Sequence, residues 1–290
     1  MEEGKFEHPF IDNLVGIPHG DSEVKNATGK SVEEYMRHTG SNKHEGVEIE
    51  KTPEDIEIIQ FAIDSVNEVM KEYGREKDIE LSMNHIHIVP VGGTEIVTQG
   101  NSKKAAQAST RSSLIIDRDP SNIQFCLRAF HEILHLKSYV ALQILPPPEE
   151  NSQSSLKAYR KGFMVVSRDG KERYFTDLEE GVIGMLTEKF FNEKIKSEIL
   201  FSEELKNKGE VPFEFSRQEE IQLLNDLVDQ IFEKNIDDFK SRDEILELFI
   251  RAQVNGNLLR VGKLIEKTFG KGSFREISEG NYPKDTHHDR

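Results

Sequence analysis

Apolar and polar positions divide the first part of the chain into a polar segment and a regular helix. Residues 1–50 are polar with little periodicity, so we predict a flexible N-terminal segment in which a short apolar patch, residues 10–15, can contact the body or cover a cleft. Apolar residues then recur every three or four positions between Pro53 and Gly74. Because Thr52 is a good N-cap and proline is favoured at the first helical position, this stretch predicts an amphipathic helix.

Two strand-like segments follow this helix. Residues 79–91 alternate, with His85 and His87 on one face and isoleucines on the other, and residues 112–116 form a short apolar run. We interpret the two histidines as the polar face of a strand and not as metal ligands. Residues 92–111 are rich in small and polar residues, so they predict a long loop or an irregular edge strand.

The most apolar helix is predicted to begin after the second strand. Asp119 is the expected N-cap with Pro120 at the first helical position, and nothing breaks a helix from there to about Leu142. The stretch is apolar nearly all round, which is typical of a helix buried in a core. It contains the single cysteine of the chain, Cys126, which we interpret as a small core residue.

The second half of the chain predicts a hairpin followed by helices. Residues 163–167 and 172–176 flank Asp169-Gly170, which is a strong signal for a β-hairpin turn. Amphipathic stripes near 216–233 and 242–268 predict helices that pack on a core.

Composition narrows the class of protein. Of the 290 residues 36% are hydrophobic, enough for a sizeable core, and the formal net charge of −15 at pH 7 argues against nucleic-acid binding, which usually needs a basic surface. The N-terminus has no apolar signal region, and no stretch is long enough to span a membrane. We therefore expect a cytoplasmic protein that binds neither nucleic acid nor membranes.

The chemistry of the chain is concentrated in residues 131–135, His-Glu-Ile-Leu-His, within the apolar helix. His131 and His135 are one helical turn apart, so both imidazoles leave the same face and can hold one zinc ion. Glu132 lies beside them, where its carboxylate can take a proton from an activated water. The alternative is a pair of core histidines bonded to carbonyl groups, with Glu132 paired to Arg128.

A catalytic zinc also needs a third protein ligand. No histidine lies between His135 and His287, and the downstream histidine that marks the metzincin class is absent. A carboxylate is therefore the expected ligand, and the acidic segment 177–188 supplies the candidates.

In these features the chain resembles the gluzincin class of metallopeptidases, in which a glutamate from a later helix completes the site. It is also similar to a group of predicted bacterial zincins in which a short Asp-Gly hairpin leads into the glutamate helix. The resemblance covers about residues 52–195 and implies a zincin-like fold, with an extended peptide bound along an edge strand above the metal. The matching residues are His131, Glu132, His135 and Glu180.

Two features depart from the pattern of that class. The residue before the proposed ligand is Glu179 and not asparagine, so two adjacent carboxylates compete: helical periodicity favours Glu179, whereas the following glycine favours Glu180, which we prefer. Acidic residues are also favoured in the first turn of a helix, and this preference alone would explain Glu179 and Glu180 without a metal site. Gly184 stands where that class often has an acidic residue, four positions after the ligand. The carboxylate that would orient a ligand histidine is therefore not assigned, and Asp177 and Glu188 are the candidates.

The sequence therefore predicts an α+β, zincin-like fold with a small sheet, an active-site helix and a mainly helical C-terminal part. Residues 51–195 form the catalytic domain, in which the proline-rich loop at 146–152 separates subdomains. Residues 196–280 form a helical subdomain, and residues 281–290 form a disordered tail.

The predicted function is zinc-dependent hydrolysis of peptide bonds in a peptide or protein substrate, with one Zn²⁺ per chain. His131, His135 and Glu180 are the predicted ligands, and Glu132 is the general base. The alternative is a catalytically inactive zincin-like module that binds metal or protein. The candidates to stabilise the oxyanion, of which none is singled out, are Tyr139, Tyr159, Arg173 and Tyr174.

Overall fold

Two small sheets and the helices around them make up the described part of this mixed helix and sheet protein. The computed structural model describes residues 11–16, 32, 46–75, 79–98, 106–108, 113–145, 155–208 and 217–283. The strands are β1 (Asn13–Val15), β2 (Ile86–Val89), β3 (Ala106–Ala108), β4 (Leu114–Asp117), β5 (Val140–Leu145), β6 (Ser155–Lys161), β7 (Met164–Val166) and β8 (Arg173–Tyr174). The helices are α1 (Pro53–Glu72), α2 (Gly93–Val97), α3 (Asn122–Lys137), α4 (Thr176–Glu193), α5 (Ser202–Lys208), α6 (Gln218–Lys234), α7 (Arg242–Asn255), α8 (Leu258–Phe269) and α9 (Ser273–Ser278). Within these ranges, none of the helices combines the length and the apolar character needed to cross a membrane.

The first sheet supports the helix that carries the His-Glu-x-x-His motif. Its strand order is β2-β4-β3, with β2 parallel and β3 antiparallel to β4. The amide of Ile49 donates to the carbonyl of Ile88 at 2.9 Å, so the segment before α1 runs along the outer side of β2. Helix α3 packs against α1, β4 and β3. The motif helix is therefore held between α1 and the sheet, with β3 at the other edge.

The second sheet connects α3 to α4. Its strand order is β1-β5-β6-β7-β8, and β5 through β8 form an antiparallel meander that follows α3 and leads into α4. Gly170 closes the β7–β8 hairpin with φ 78°, a conformation that glycine adopts without strain. The predicted hairpin is confirmed, and it delivers the chain to the acidic segment.

The motif helix is shorter than predicted. Its N-cap is Ser121, whose hydroxyl accepts a hydrogen bond from the amide of Gln124 at 3.1 Å, so the predicted start at Asp119 is two residues early. It ends at Lys137 instead of near Leu142, because the residues of β5 pair with β6. Strand pairing overrides the helical pattern of the apolar residues at this end.

Three other predicted elements are also interrupted. The strand predicted at 79–91 is confined to β2, and Met83–His85 before it form a 3-10 turn. In the segment at 92–111, predicted as a long loop or an irregular edge strand, β3 is the predicted edge strand, and α2 is an additional short helix. The helix predicted at 242–268 is divided into α7 and α8 at Gly256, which has φ 83°. The helix predicted at 53–74 is confirmed as α1, with Thr52 as its N-cap.

Part of the N-terminal segment, which is predicted to be flexible, is ordered, and its predicted apolar patch contacts the body through residues 11–15. Strand β1 pairs in parallel with β5. Both oxygens of Asp12 lie 3.1 Å from Nη2 of Arg75, and Oδ2 of Asp12 accepts from the amide of Val140 at 2.8 Å. Ile11 and Val32 are buried against β5. Residues 13–15 are therefore a strand of the sheet, and the ion pair of Asp12 with Arg75 and the apolar contacts of Ile11 hold this segment in place. Most other residues before 46 lie outside the described part.

One hydrophobic core extends from α1 and α3 through α4 to the C-terminal helices. Phe130 of α3 stacks on Phe190 of α4 with ring centroids 4.0 Å apart, and Phe249 of α7 stacks on Phe163 at 5.8 Å. Cys126 is buried in this core, as predicted. The C-terminal helices, which the sequence predicts as a separate subdomain at 196–280, thus pack directly against the part of the protein that carries the His-Glu-x-x-His motif. The predicted loop at 146–152 and residues 284–290 of the predicted tail lie outside the described residues.

Two glycines of α4 allow α6 to approach closely. A Cβ on Gly181 would lie 2.5 Å from the carbonyl oxygen of Glu220, and a Cβ on Gly184 would lie 3.0 Å from the end of the Ile221 side chain. The close approach brings the first turn of α6 beside the acidic segment of α4. Gly184 therefore has a packing role at the position where the gluzincin pattern has an acidic residue.

We expect Gly181→Ala to destabilise the fold by about 2 kcal/mol, because the added methyl group would meet backbone that cannot turn aside. Gly184→Ala is the matched control on the same helix. Its methyl group would meet side-chain atoms alone, the end of Ile221 at 3.0 Å and Cβ of Arg217 at 3.3 Å, so the helix propensity of alanine offsets most of the cost. Urea unfolding of the two variants measures the difference. Equal midpoints would contradict the close approach at Gly181.

Candidate metal centre

The two histidines of the motif and one glutamate of α4 converge on a single point. Nε2 of His131 is 3.3 Å, and Nε2 of His135 is 3.6 Å, from Oε2 of Glu180. The ligand atoms of the three residues lie within 4.8 Å of one another, and the three side chains are largely buried. In the described ranges, this cluster could hold a metal ion.

The spacing of the cluster fits a cation between the three side chains. Two ligand atoms on a tetrahedral ion with bonds of about 2.1 Å are about 3.4 Å apart, and the two His–Glu separations lie on either side of that value. Good N–H···O hydrogen bonds are shorter, about 2.7 to 3.2 Å. Two imidazole nitrogens and one carboxylate oxygen also match the donor set of zinc sites that keep one position open. The residues present therefore fit a bound metal.

The adjacent carboxylate, Glu179, lies behind the cluster. Its Oε1 is 3.0 Å from Nδ1 of His135, and its Oε2 accepts hydrogen bonds from the amides of Phe163 at 2.7 Å and Met164 at 3.0 Å. A carboxylate on Nδ1 keeps the proton there and turns the lone pair of Nε2 toward Glu180. On the sequence alone, two adjacent carboxylates compete as third ligand. Their partners in the structure differ: Glu180 faces both Nε2 atoms, and Glu179 orients His135.

A glutamine from the C-terminal helices supports this arrangement. Oε1 of Gln253 accepts from the amide of Phe163 at 3.0 Å, and its Nε2 donates to Oγ of Ser138 at 3.0 Å. The Ser138 hydroxyl in turn donates to the carbonyl of Leu134, in the last turn of α3, at 2.7 Å. Gln253 is 1% exposed. Helix α7 therefore joins the hairpin that holds Glu179 to the helix that carries the histidines.

The buried charges of the cluster shift one another's proton affinities. Burial alone would lower the pKa of His135, but the hydrogen bond with Glu179 and the contact with Glu180 outweigh it and raise the pKa to about 9. Burial would raise the pKa of Glu180, but His131 and His135 hold that pKa far below its usual range. A metal ion would therefore have to compete with a proton for Nε2 of His135.

Two further charged side chains border the cluster. Glu132 is partly exposed, and its carboxylate is close enough to contribute to the raised pKa of His135. Nε of Arg217, at the N-cap of α6, is 3.2 Å from Oε2 of Glu180. Sequence analysis identifies Glu132 through the motif but does not find Arg217, because no pattern marks a single arginine before a later helix.

The two residues considered for orienting a histidine lie elsewhere. Burial and the nearby charge of Glu220 raise the pKa of Asp177. Oε1 of Glu188 accepts from Gln218 at 2.5 Å, on the side of α4 that faces α6. No described contact joins either carboxylate to a ligand histidine, and Glu179 takes that role instead.

The tyrosines and the arginine considered for the oxyanion are not brought to the cluster by any described contact. The ring of Tyr139 lies under the guanidinium of Arg160, 4.8 Å from its centre. The hydroxyl of Tyr174 donates to Glu172 within the hairpin, where Arg173 is exposed.

The remaining histidines and the alternative ion pair of the motif are also accounted for where the structure describes them. Nδ1 of His87 is 3.0 Å from Glu48, so this histidine lies on the polar face of β2 as predicted. His85, predicted on the same strand face, lies instead in the 3-10 turn before β2, with Nδ1 3.2 Å from Oγ of Ser82. Arg128 pairs with Asp119 at 2.8 Å. The histidines outside the described residues are His8, His19, His38, His44, His287 and His288.

Comparison with known proteins adds no relative. No family model matches the chain, and no curated protein and no solved structure is significantly similar to it. The functional conclusion therefore depends on the geometry of the cluster.

We expect Glu179→Gln to weaken zinc binding about 10-fold to 100-fold, although this residue is not one of the three proposed ligands. The amide group would still accept from the hairpin, but its NH₂ would face Nδ1 of His135 and favour the tautomer with the proton on Nε2. Glu180→Ala removes a ligand and should weaken binding more. Competition with a chromophoric chelator measures the affinities.

Glu188→Gln, which changes the same charge on the same helix, serves as the control and should bind zinc like the wild type. If Glu179→Gln and Glu188→Gln bind zinc equally well, Glu179 does not orient His135.

Proposed function

We propose that this protein is a zinc-dependent hydrolase, most specifically a metallopeptidase with the ligand arrangement of the gluzincin class on a zincin-like fold. The observation that carries the proposal is the convergence of His131, His135 and Glu180, with Glu179 behind His135. Structural pairs of histidines do not need a third ligand from another helix together with a buried carboxylate that fixes the tautomer. A metal site needs both.

Zinc is the metal that the donor set favours. Two imidazoles and one carboxylate suit zinc, whereas calcium and magnesium prefer oxygen ligands alone. When bound, the ion would supply Lewis-acid activation of water and of a carbonyl group. The high net negative charge of the chain, −15, does not oppose binding of a cation.

Glu132 has the role of proton carrier in this proposal. It follows His131 on α3 and is partly exposed, so it borders the cluster without being one of its three converging ligands. Its carboxylate takes a proton from the attacking water and later gives that proton to the leaving amine. Glu179 holds His135 in the required tautomer throughout, because its three hydrogen bonds do not involve the substrate.

A peptide substrate is favoured by the position of β3. This strand is at the end of the β2-β4-β3 sheet and lies against α3, and no described residue pairs with its outer side. A free strand edge offers unpaired N–H and C=O groups to an extended chain. The proposed substrate is therefore an extended peptide segment that pairs with β3 beside the motif helix.

The second candidate function is a zincin-like module that binds metal or protein without catalysis. On the sequence alone, this function is favoured because no carboxylate stands at the usual position to orient a ligand histidine. Glu179, which contacts Nδ1 of His135, can take that role. This second function remains distinct in one measurable respect, since such a module would bind zinc and cleave no substrate.

We expect Glu132→Gln to keep one zinc per chain and to slow peptide hydrolysis by about a hundredfold to ten-thousandfold. Glutamine retains the shape of the side chain but cannot carry the proton. Zinc content by mass spectrometry and turnover of a fluorogenic peptide library measure the two effects on the same preparation.

Glu57→Gln on the exposed side of α1 is a control for the loss of one carboxylate. Wild-type turnover by Glu132→Gln would exclude Glu132 as the base. Zinc binding with no cleavage of any peptide by the wild type would favour the non-catalytic module, and no zinc binding would contradict both functions.

A further inference from the structure

The guanidinium of Arg217 adjoins the ligand cluster. Its Nε is 3.2 Å from Oε2 of Glu180, which is the same oxygen that faces Nε2 of His131 and of His135. The Arg217 side chain is 27% exposed, whereas those of the two histidines and of Glu180 are between 10% and 12% exposed. Arg217 is thus a cation at the border between the buried ligands and the solvent.

The backbone of Arg217 indicates that the side chain is needed at this position. Its φ is +80°, a conformation that glycine adopts freely and that arginine adopts only at a cost in free energy. Glycine would serve better if the position only had to begin α6. Strained residues of this kind concentrate at functional sites, where the surrounding structure holds them in place.

Two features of the fold direct the side chain toward Glu180. Gly181 and Gly184 let α6 approach α4, and Arg217 lies at the end of α6 that this approach brings to the cluster. One turn into α6, Oε1 of Glu220 accepts from Nη1 of Arg217 at 3.1 Å. A guanidinium has five N–H groups in a rigid fork. The contacts of Arg217 with two carboxylates involve only Nε and Nη1. Its remaining N–H groups can therefore donate to an oxygen of a bound substrate.

We propose that Arg217 is a further catalytic residue, which donates N–H groups to the substrate carbonyl oxygen as negative charge develops on it. This inference rests on the proposed function and extends it by naming a protein group for the oxyanion, which sequence analysis leaves unassigned. A permanently charged donor close to the ligands stabilises this oxygen more in the transition state than in the ground state.

The charges balance through the reaction. The water oxygen forms a bond to the carbonyl carbon, one water proton passes to Glu132, and the π pair of the carbonyl moves onto its oxygen, where Arg217 stabilises it. The pair then returns, the C–N bond breaks, and Glu132 passes its proton to the leaving amine. The new carboxylic acid releases the second water proton at neutral pH. Arg217 donates hydrogen bonds throughout and transfers no proton.

A purely structural role for Arg217 would be to hold the carboxylate of Glu180 in position. The two roles differ in their effect on metal affinity. If Arg217 positions Glu180, its removal weakens metal binding. If it serves the substrate oxygen, its removal takes a positive charge away from the metal centre, so metal affinity stays the same or rises.

The experiment compares the binding of two small probes to Co²⁺-substituted protein, followed by its visible absorption. Methylphosphonate carries tetrahedral anionic oxygens like the reacting group, and imidazole is a neutral ligand that needs no cationic partner. We expect Arg217→Gly to weaken methylphosphonate binding about tenfold or more and to leave imidazole binding unchanged. Glycine is the chosen replacement because it accepts φ +80° without strain.

Arg217→Lys should recover part of the methylphosphonate affinity, because it keeps the charge and loses the fork. Arg275→Ala removes an equal charge from an exposed side chain and should bind both probes like the wild type. Unchanged methylphosphonate affinity in Arg217→Gly, equal loss for both probes, or weaker Co²⁺ binding would each overturn the inference while leaving the proposed function intact. A wild-type protein that binds no Co²⁺ would overturn the proposed function and this inference with it.

Discussion

A buried carboxylate with three hydrogen-bond partners joins the parts of the protein that form the candidate metal site. Glu179 lies on α4 and is 3% exposed, yet it contacts His135 on α3 and two amides at the start of β7. A buried charge is costly unless several groups compensate it, and losing one partner leaves the others with an unsatisfied charge. The positions of α3, α4 and the hairpin relative to one another therefore depend on this residue as well as on the apolar core that α3 and α4 share.

Two neighbouring glutamates perform different tasks because a helix turns about 100° per residue. Glu179 points toward the hairpin and Glu180 toward the imidazole Nε2 atoms, so His135 has a carboxylate at each ring nitrogen. The partner at Nδ1 is fixed by backbone amides, whereas the partner at Nε2 belongs to the cluster that could hold a metal. If a cation binds, this division would let His135 exchange a proton for it without changing its orientation.

Local patterns predict some parts of this structure and not others. The one-turn spacing of His131 and His135, the capped helix α1 and the Asp-Gly hairpin depend on neighbouring residues, and the sequence predicts them. Periodicity favours Glu179 as the third ligand, whereas Glu180 faces both Nε2 atoms, because the choice depends on where α3 lies relative to α4. Arg217 and Gln253 reach the site only through helix packing far along the chain, so they carry no local signal, although a buried glutamine in an apolar stripe is a feature that sequence analysis could have examined. Pairing of β5 with β6, which ends the motif helix early, is likewise a tertiary effect.

The contact between Gln253 and the Phe163 amide has a consequence for the order of events during synthesis. A growing polypeptide folds from its N-terminal end as it emerges, and His131, His135 and Glu180 all emerge well before α7. Until α7 packs, the Phe163 amide and Ser138 lack one of their partners, and the hairpin that holds Glu179 is less constrained. An ion captured by the nascent chain would therefore meet an incompletely organised site, and tight retention of metal would begin only once α7 has packed.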